Sequence, residues 1–371
     1  MIPPPGKIFY YDYREDYSYA PDKPLRCIQW NIERGYMLDS IIRILQSLDA
    51  DIICLQELDI HCERSDNRNN AEEIAKHLKM NLAFVAEFEE IHSEMRKADA
   101  QGGGVHGNAI LSRFDMKGKL IFHDEHAFDW ETSGHTLNEP RVGERLVLAC
   151  EVMVPDLPIL CYSAHLEIFT GIVGRLKQFS DILEHAHKNL EKFPHQLLFG
   201  DFNTMAHSIA RLSSKFCRDS LRWKSLGWTE SEYWNNRVIS FFPEHGRINY
   251  NLQDLALDEK HLVNLRNPHF YDPFHPNFTS LISYFGLYQG KLDWTLVRGF
   301  VACQKGSEND DYSASDHKLL WVDLVPILEP SLIPLYAETQ IKKTSNNFLK
   351  FMIAVSFAVV AGLSFYSNTK K

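Results

Sequence analysis

Short apolar runs, each closed by a single acid, amide or imidazole, recur along this chain. Leu25–Ile32 and Asp51–Gln56 read as buried strands, and between them Leu38, Ile41, Ile42, Leu45 and Leu48 keep the spacing of one helix face. Asn69–Lys79 predicts a second helix and Leu82–Glu87 another strand. The middle is dense in strands, at Val105–Ser112, Lys119–His123, Arg145–Met153 and Ile159–Ala164. A long amphipathic helix over Ile172–Leu190 leads to a strand at Gln196–Phe199, and strands return at Leu292–Arg298 and Lys318–Val325. Several links in the middle are too short to hold a helix, which disfavours a doubly wound parallel sheet and predicts a mixed α/β layered domain over residues 25–328. Trp223–Phe285 is irregular and aromatic-rich, and reads as a mobile rim or extra core.

Both ends break the pattern. Residues 1–24, rich in proline and tyrosine, read as an arm lying on the surface or partly disordered, without the apolar core of a secretory signal. Glu329–Asn347 reads as a linker. Phe348–Ser367 is apolar except for Lys350 and a few small polar side chains, and as a helix its about 20 residues span about 30 Å. A buried core helix is the bland alternative; the polar linker before it favours a membrane span, residues 348–367, inserted after synthesis with the rest in the cytosol. Endoplasmic reticulum and mitochondrial outer membrane suit it equally. Lys342, Lys343, Lys370 and Lys371 make both flanks basic, so the positive-inside rule favours neither orientation. Deleting Phe348–Lys371 is expected to release the protein into the soluble fraction; continued membrane association counts against the anchor.

Composition narrows the class. Across 371 residues an apolar content of 44% supports a sizeable core, and the formal net charge of -10 excludes an overall basic field for nucleic acid. A bound cation can reverse the sign locally, so a nucleic-acid substrate stays open. The seven cysteines form no C-x-x-C pair and no zinc spacing, and Cys27, Cys54, Cys150 and Cys161 sit inside hydrophobic runs, which fits a reducing compartment. Nothing points to a protein partner.

The polar groups closing the strands form an ordered series. It comprises Gln-Trp-Asn-Ile around Asn31, Leu-Gln-Glu ending at Glu57, Gly-Asn-Ala-Ile-Leu-Ser-Arg from Gly107, Ala-His-Leu around His165, Gly-Asp-Phe-Asn at Gly200–Asn203, Leu-Asp-Trp around Asp293, and Ser-Asp-His ending at His317. Phosphoester hydrolysis needs carboxylates for a divalent cation, a base for water and imidazoles for developing charge. Over about Leu25 to Val325 the series resembles the endonuclease/exonuclease/phosphatase superfamily of deoxyribonuclease I, apurinic endonucleases and inositol-polyphosphate phosphatases. The resemblance implies a two-sheet, four-layer α/β sandwich of the deoxyribonuclease I type with flanking helices, and metal-dependent cleavage of phosphoester bonds at one edge.

It also implies roles. A lone glutamate is usually a solvated carboxylate, but Glu57 matches the principal magnesium ligand, with manganese as the substitute, and Asn31 the amide that orients it and the phosphate. Glu33 falls where some relatives place an acid near the metal, as does Asp316. Asp201 and Asn203 could simply form a turn with an Asx cap. The resemblance has Asp201 position or deprotonate the attacking water and Asn203 donate to the phosphate, both on one face if the segment stays extended. Asp293 would hold the tautomer of His317, which stabilises the reacting phosphorus or shuttles a proton. His165 matches the second histidine, contacting phosphate or protonating the leaving oxygen. Asn108 suits a fold role or phosphate contact equally, Arg113 reads as a turn or packing residue, and His185, His187 and His195 as a solvated face. Gly102-Gly103-Gly104 has no strand and helix placed to make a phosphate cradle.

Substrate identity is less determined. Thr-Met-Ala-His after Asn203 and Gly-Lys-Leu before Asp293 depart from the inositol-polyphosphate branch, which is disfavoured. A nuclease-type phosphodiesterase is the leading expectation. A membrane-lipid phosphodiesterase of sphingomyelinase type gains from the predicted anchor. A tail-anchored, non-catalytic binding protein ranks lower, since no metal ligand or histidine of the series is missing.

Overall fold

The computed structural model describes the chain except for residues 1, 16–18, 21–22, 127, 206–211, 215–228, 282–289 and 344–371. β1 (Ile8–Asp12) is followed by β2 (Leu25–Arg34), α1 (Leu38–Leu48), β3 (Ile52–Ile60), α2 (Asn70–Leu78), β4 (Asn81–Glu90) and β5 (Val105–Ser112). Next come β6 (Met116–Phe122), the short α3 (Trp130–Ser133), β7 (Arg141–Gly143), β8 (Leu146–Val154), β9 (Leu157–His165), α4 (Ile172–Lys188) and β10 (His195–Asp201). Short helices at Glu230–Trp234 and Glu259–Asn264 precede β11 (Asp293–Arg298), β12 (Phe300–Glu308) and β13 (Leu319–Pro326). One sheet has eight strands in the order β1-β4-β5-β3-β2-β13-β12, with β7 on β4; the other has five, β11-β10-β9-β8-β6. The β2–β3 and β9–β10 pairs are parallel, and their connections carry α1 and α4.

Strand alternation assigns each residue to a layer. Ile28, Trp30 and Ile32 of β2 pack with Leu38, Ile41, Ile42 and Leu45 of α1 and with Ile74 of α2. Cys27, Gln29 and Asn31 take the opposite face, toward the second sheet. On β3, Ile52 and Cys54 lie in the core between the sheets, where the Cys54 and Cys161 Sγ atoms meet at 3.4 Å. Toward one edge this interface turns polar. Gln29 and Gln56 hydrogen-bond to each other, Gln56 Nε2 donates to Ser163 Oγ at 2.9 Å, and Gln29 Nε2 donates to Asp293 Oδ1 at 3.2 Å. Burying such amides is tolerable only because each finds partners.

The structure corrects several expectations. Within the predicted arm, Ile8–Asp12 is an edge strand paired with β4 from Ile8↔Val85 to Asp12↔Asn81. The predicted linker is helical over 332–343, with Ile333, Ala337 and Ile341 buried. β12 and β7 escaped the sequence pattern because one buries only its first residue and the other has three residues. The described part of the aromatic region is core: Trp234, Phe241, Phe242, Phe270, Tyr271 and Phe274 are buried, while Trp223 and Trp228 lie outside the described residues. His185, His187 and His195 are not a solvated face. They hydrogen-bond to Tyr162 Oη, Arg266 O and Ile327 O, and His195 is buried. Gly104 serves close strand approach, since a Cβ there would stand 2.1 Å from Ile60 O. The predicted span 348–367 lies outside the described residues, and no helix among those described is long and apolar enough to cross a membrane.

Candidate active site

The polar edge is where the strand ends converge. Asp201, the last residue of β10, is in register with His165 on β9 and Asp293 on β11. On the other sheet Asn31 is opposite Gln56, and β3 loses register between Leu55 and Leu58, where Glu57 takes a left-handed φ of +60°. This bulge re-aims the glutamate toward the gap between the sheets. Asn31 Nδ2 then donates to Glu57 Oε1 at 3.1 Å and to Asp201 Oδ2 at 3.0 Å, tying the two sheets together.

His317 Nδ1 donates to Asp293 Oδ2 at 2.7 Å, and its Nε2 lies 3.8 Å from Asp201 Oδ2 and 3.9 Å from Asp316 Oδ1. Ser315 Oγ donates to Asn31 O, and Trp30 Nε1 to His317 O, so the Ser-Asp-His turn is pinned to β2. Glu33 caps the same turn by accepting from the Asp316 amide at 2.9 Å. His165 accepts from Arg145 Nη1 at Nδ1, 3.0 Å, which leaves its Nε2–H 3.6 Å from Asp201 Oδ2 and 3.9 Å from Glu57 Oε1. Asn203 departs from the extended geometry expected of it: φ is +48°, and its amide donates to Asp201 Oδ1 at 2.8 Å, an Asx turn, while Nδ2 donates to Leu166 O. Glu57, His165, Asp201, Asn203, Asp316 and His317 line one cavity of about 460 Å³. Asn31, Glu33 and Asp293 support it from behind. Asn108 does not line it, and both its side-chain polar atoms are buried with no hydrogen-bond partner among the described residues.

Charge crowding marks the site. Burial first, and then the charge of Asp316, pushes Glu33 up to about 7. Burial likewise raises Asp316 to about 6 and Asp201 to about 6, with His317 pulling the other way. Burial opposes a charge on His317, but Asp293, Asp316 and Asp201 outweigh it and raise the imidazole well above its ordinary value. Burial, reinforced by Arg145, drives His165 well below its own. Glu57 meets the same burial penalty, yet the charges of His106 and Arg34 hold it low. Three neighbouring carboxyls raised together are a donor set short of positive charge, and the hard oxygen donors of Glu57 and Asp316, which line the cavity, fit a magnesium-type cation. Glu125, Asp258 and His261 also bring ligand atoms within 4.8 Å of one another, but none lines the cavity and Glu125 pairs with Lys177.

Sequence reasoning missed one wall. Arg34, His106, Trp130, Arg141 and Arg145 also line the cavity. Arg34 and His106 lie three and two residues from Asn31 and Asn108, so proximity to the motifs was a usable signal. Trp130 and Arg141 sit in a segment with no periodicity, and Arg145 opens the predicted strand Arg145–Met153 without belonging to any of the motifs.

Oxygen donors that fit a cation, beside a carboxylate-held imidazole at one edge of two packed sheets, supply what phosphoester hydrolysis requires. The sequence profile of the endonuclease/exonuclease/phosphatase family matches residues 28–317. The chain belongs to that family, whose members hydrolyse phosphoester bonds on a deoxyribonuclease I-like fold. No curated protein matches the chain in sequence. Similar solved structures include the human Nocturnin catalytic domain with bound sulfate, at 15% identity and TM-score 0.44, covering 85% of this chain and 97% of that one. A truncated TDP2 from Caenorhabditis elegans is 13% identical with TM-score 0.45, covering 81% and 96%. A mannosyl-6-phosphatase from Bacteroides thetaiotaomicron is 15% identical with TM-score 0.42, covering 81% and 99%.

Proposed function

We propose that this protein is a magnesium-dependent phosphoesterase, with nuclease-type phosphodiester cleavage as the leading activity. The observation that carries this reading is the convergence of Glu57, Asp201 and the His317–Asp293 pair on one cavity. Glu57 and Asp316 would hold the cation, with the Asn31 amide orienting Glu57, and the ion would supply charge neutralisation at the phosphoryl oxygens. Asp201 accepts a proton from the attacking water; burial makes it a stronger base than an exposed aspartate. His317, held as imidazolium by Asp293, stabilises charge building on the phosphoryl group. His165 donates its Nε2 hydrogen to a phosphoryl oxygen; a ring kept neutral hydrogen-bonds well but brings no spare proton for the leaving group. One Nδ2 hydrogen of Asn203 is engaged by Leu166 O, and the second is available to the phosphate.

The crowded carboxyls give a test independent of turnover. Folded-state pKa values of about 7 for Glu33 and about 6 for Asp316 and Asp201 lie above those of the unfolded chain. The fold therefore retains protons the unfolded chain has lost, and the contribution of these three carboxyls to cation-free stability falls as pH rises from about 4 through about 7. Magnesium replaces those protons, so its protection against thermal unfolding should be larger at about pH 8 than at about pH 5.5. Equal shifts at both pH values, or none, would remove the cation from the site. For activity, hydrolysis with magnesium and with chelator, over single-stranded DNA, RNA, abasic duplex, sphingolipid and phosphoinositide, separates the nuclease from the lipid phosphodiesterase.

A further inference from the structure

We propose that the cavity wall formed by Arg34, His106 and Arg141 binds a second anionic group of the substrate, separated from the reacting phosphoester by a sugar-sized spacer. This rests on the phosphoesterase reading of the same cavity and adds the class of substrate it takes.

Sheet order sets the spacing. Asp316 and His317 precede β13, Asn31 is on β2, Glu57 on β3, His106 on β5, and Arg141 on β7 beside β4. His106 and Arg141 therefore lie on the far side of Glu57 from His317, and Arg34, although it ends β2, joins them through its side chain, which donates to Glu139. With neighbouring strands about 4.8 Å apart, His106 on β5 is one strand beyond Glu57. Arg141 on β7 is three strands away, but its guanidinium reaches back to within 4.9 Å of the Phe88 ring on β4, two strands beyond, so the wall stands roughly 5–10 Å from Glu57. A diphosphate is too short to reach that far, whereas two phosphates on one sugar, or on successive nucleotides, match it.

Each member of the wall is fixed by its surroundings. His106 is buried, and its Nδ1 is held by Asp59 Oδ1 at 2.8 Å. Asp59 is in turn clamped by Arg64, Nε to Oδ2 at 2.7 Å and Nη2 to Oδ1 at 2.9 Å. The ring lines the cavity, so Nε2 is the nitrogen a ligand can reach. Arg34 is delivered by a strained turn: Glu33 and Arg34 both adopt left-handed φ, +48° and +61°, and Gly35 continues at +71°. Consecutive non-glycine residues in that region persist only where the surroundings impose them, and they concentrate at functional sites. The turn is locked by Asn70 Nδ2 donating to Arg34 O, in a place where a Cβ on Gly35 would collide with that amide. The Arg141 guanidinium lies 4.1 Å from the Trp130 ring centroid, a planar shelf for the spacer.

Charge on this wall favours an anion. Arg34 and Arg141 both donate to Glu139, which lines this part of the cavity, and Arg145 lines it as well. Glu87 and Glu90, which pair with Arg145 and Arg141, are buried behind it and do not line the cavity. Arginine clusters of this kind suit phosphate oxygens in a way that lysine does not.

The test compares a nucleoside 3′,5′-bisphosphate with the two matching monophosphates, alongside a short single-stranded oligonucleotide, for the full-length protein with magnesium. The second phosphate is expected to raise kcat/KM about 10- to 100-fold, mainly through KM. Arg34→Gln and His106→Gln should each shrink that ratio toward one, and because Arg34 is partly exposed its variant keeps the fold. A preference for the oligonucleotide over the bisphosphate assigns the second anion to a nucleic-acid chain; the reverse assigns it to a free metabolite. A wild-type ratio near one, or a ratio untouched by both substitutions, overturns the proposal. If none of these esters is hydrolysed the nuclease-type reading fails instead, and calorimetric binding of bisphosphate against monophosphate still decides the second subsite.

Discussion

Asp201→Asn is expected to lower kcat for magnesium-dependent phosphoester hydrolysis by about 10²–10⁴-fold, the usual contribution of a positioned proton acceptor. The substitution keeps the shape of the side chain and removes its basicity. Two donors aim at the carboxylate, the Asn203 amide and Asn31 Nδ2, so the new NH₂ group forfeits one hydrogen bond. Against that, a carboxylate crowded by Asp293 is removed, and burial of charge at this position was unfavourable from the outset. Thermal stability should therefore change little while turnover collapses. His317→Ala should abolish turnover as completely but also destabilise the fold, because Asp293 is left buried without its imidazole partner. Measuring kcat and Tm together separates the two: wild-type kcat in either variant removes the active-site assignment.

The largest loss of stability should come from Arg175→Ala. This arginine on α4 is fully buried, forks onto Glu230 with Nε–Oε1 of 2.9 Å and Nη2–Oε2 of 2.6 Å, and also donates to Thr170 O at 2.9 Å. It thus joins three segments: the helix, the loop after β9 that carries Ile168 and Phe169 to the cavity, and the start of the helix Glu230–Trp234. Removing the guanidinium of a buried ion pair leaves the Glu230 charge in low dielectric without its counter-ion, at about 3–5 kcal/mol. For a domain of this size that is a fall in Tm on the order of 10 °C. Arg175→Met with Glu230→Leu should recover most of it, since the stranded charge is gone as well. A Tm within about 2 °C of wild type for Arg175→Ala would mean that Glu230 finds solvent or another partner when the arginine leaves.

Much of this architecture could be read from the linear chain. β2, α1, β3, α2 and α4 announce themselves because each buries one face against a neighbouring layer, and burial imposes a period on the residues that do it. β1, β7 and β12 leave no such trace: edge strands and three-residue pairings are held by backbone hydrogen bonds, to which any sequence can contribute. The helix over 332–343 was hidden for a related reason. Its buried positions Ile333, Ala337 and Ile341 alternate with exposed Leu332 and Leu335, so hydrophobicity alone does not show which face meets the core.

The same division runs through the site. Asn31, Glu57, His165, Asp201, Asp293, Asp316 and His317 stand out in the sequence by itself, because each polar group lies at one end of an apolar, strand-like run and chemistry restricts which residues can stand there. What only the tertiary structure decided is their company. The pairing of His165 with Arg145, the Asx turn at Asn203 and the clamp of Arg64 and Asp59 on His106 depend on segments far apart in the chain. Arg34, Arg141 and Arg145 look like ordinary surface cations in one dimension. They become a wall of the cavity only because β7 and the segment leading into β8 are folded against the strand ends, and a buried charge takes its meaning from its neighbours in space.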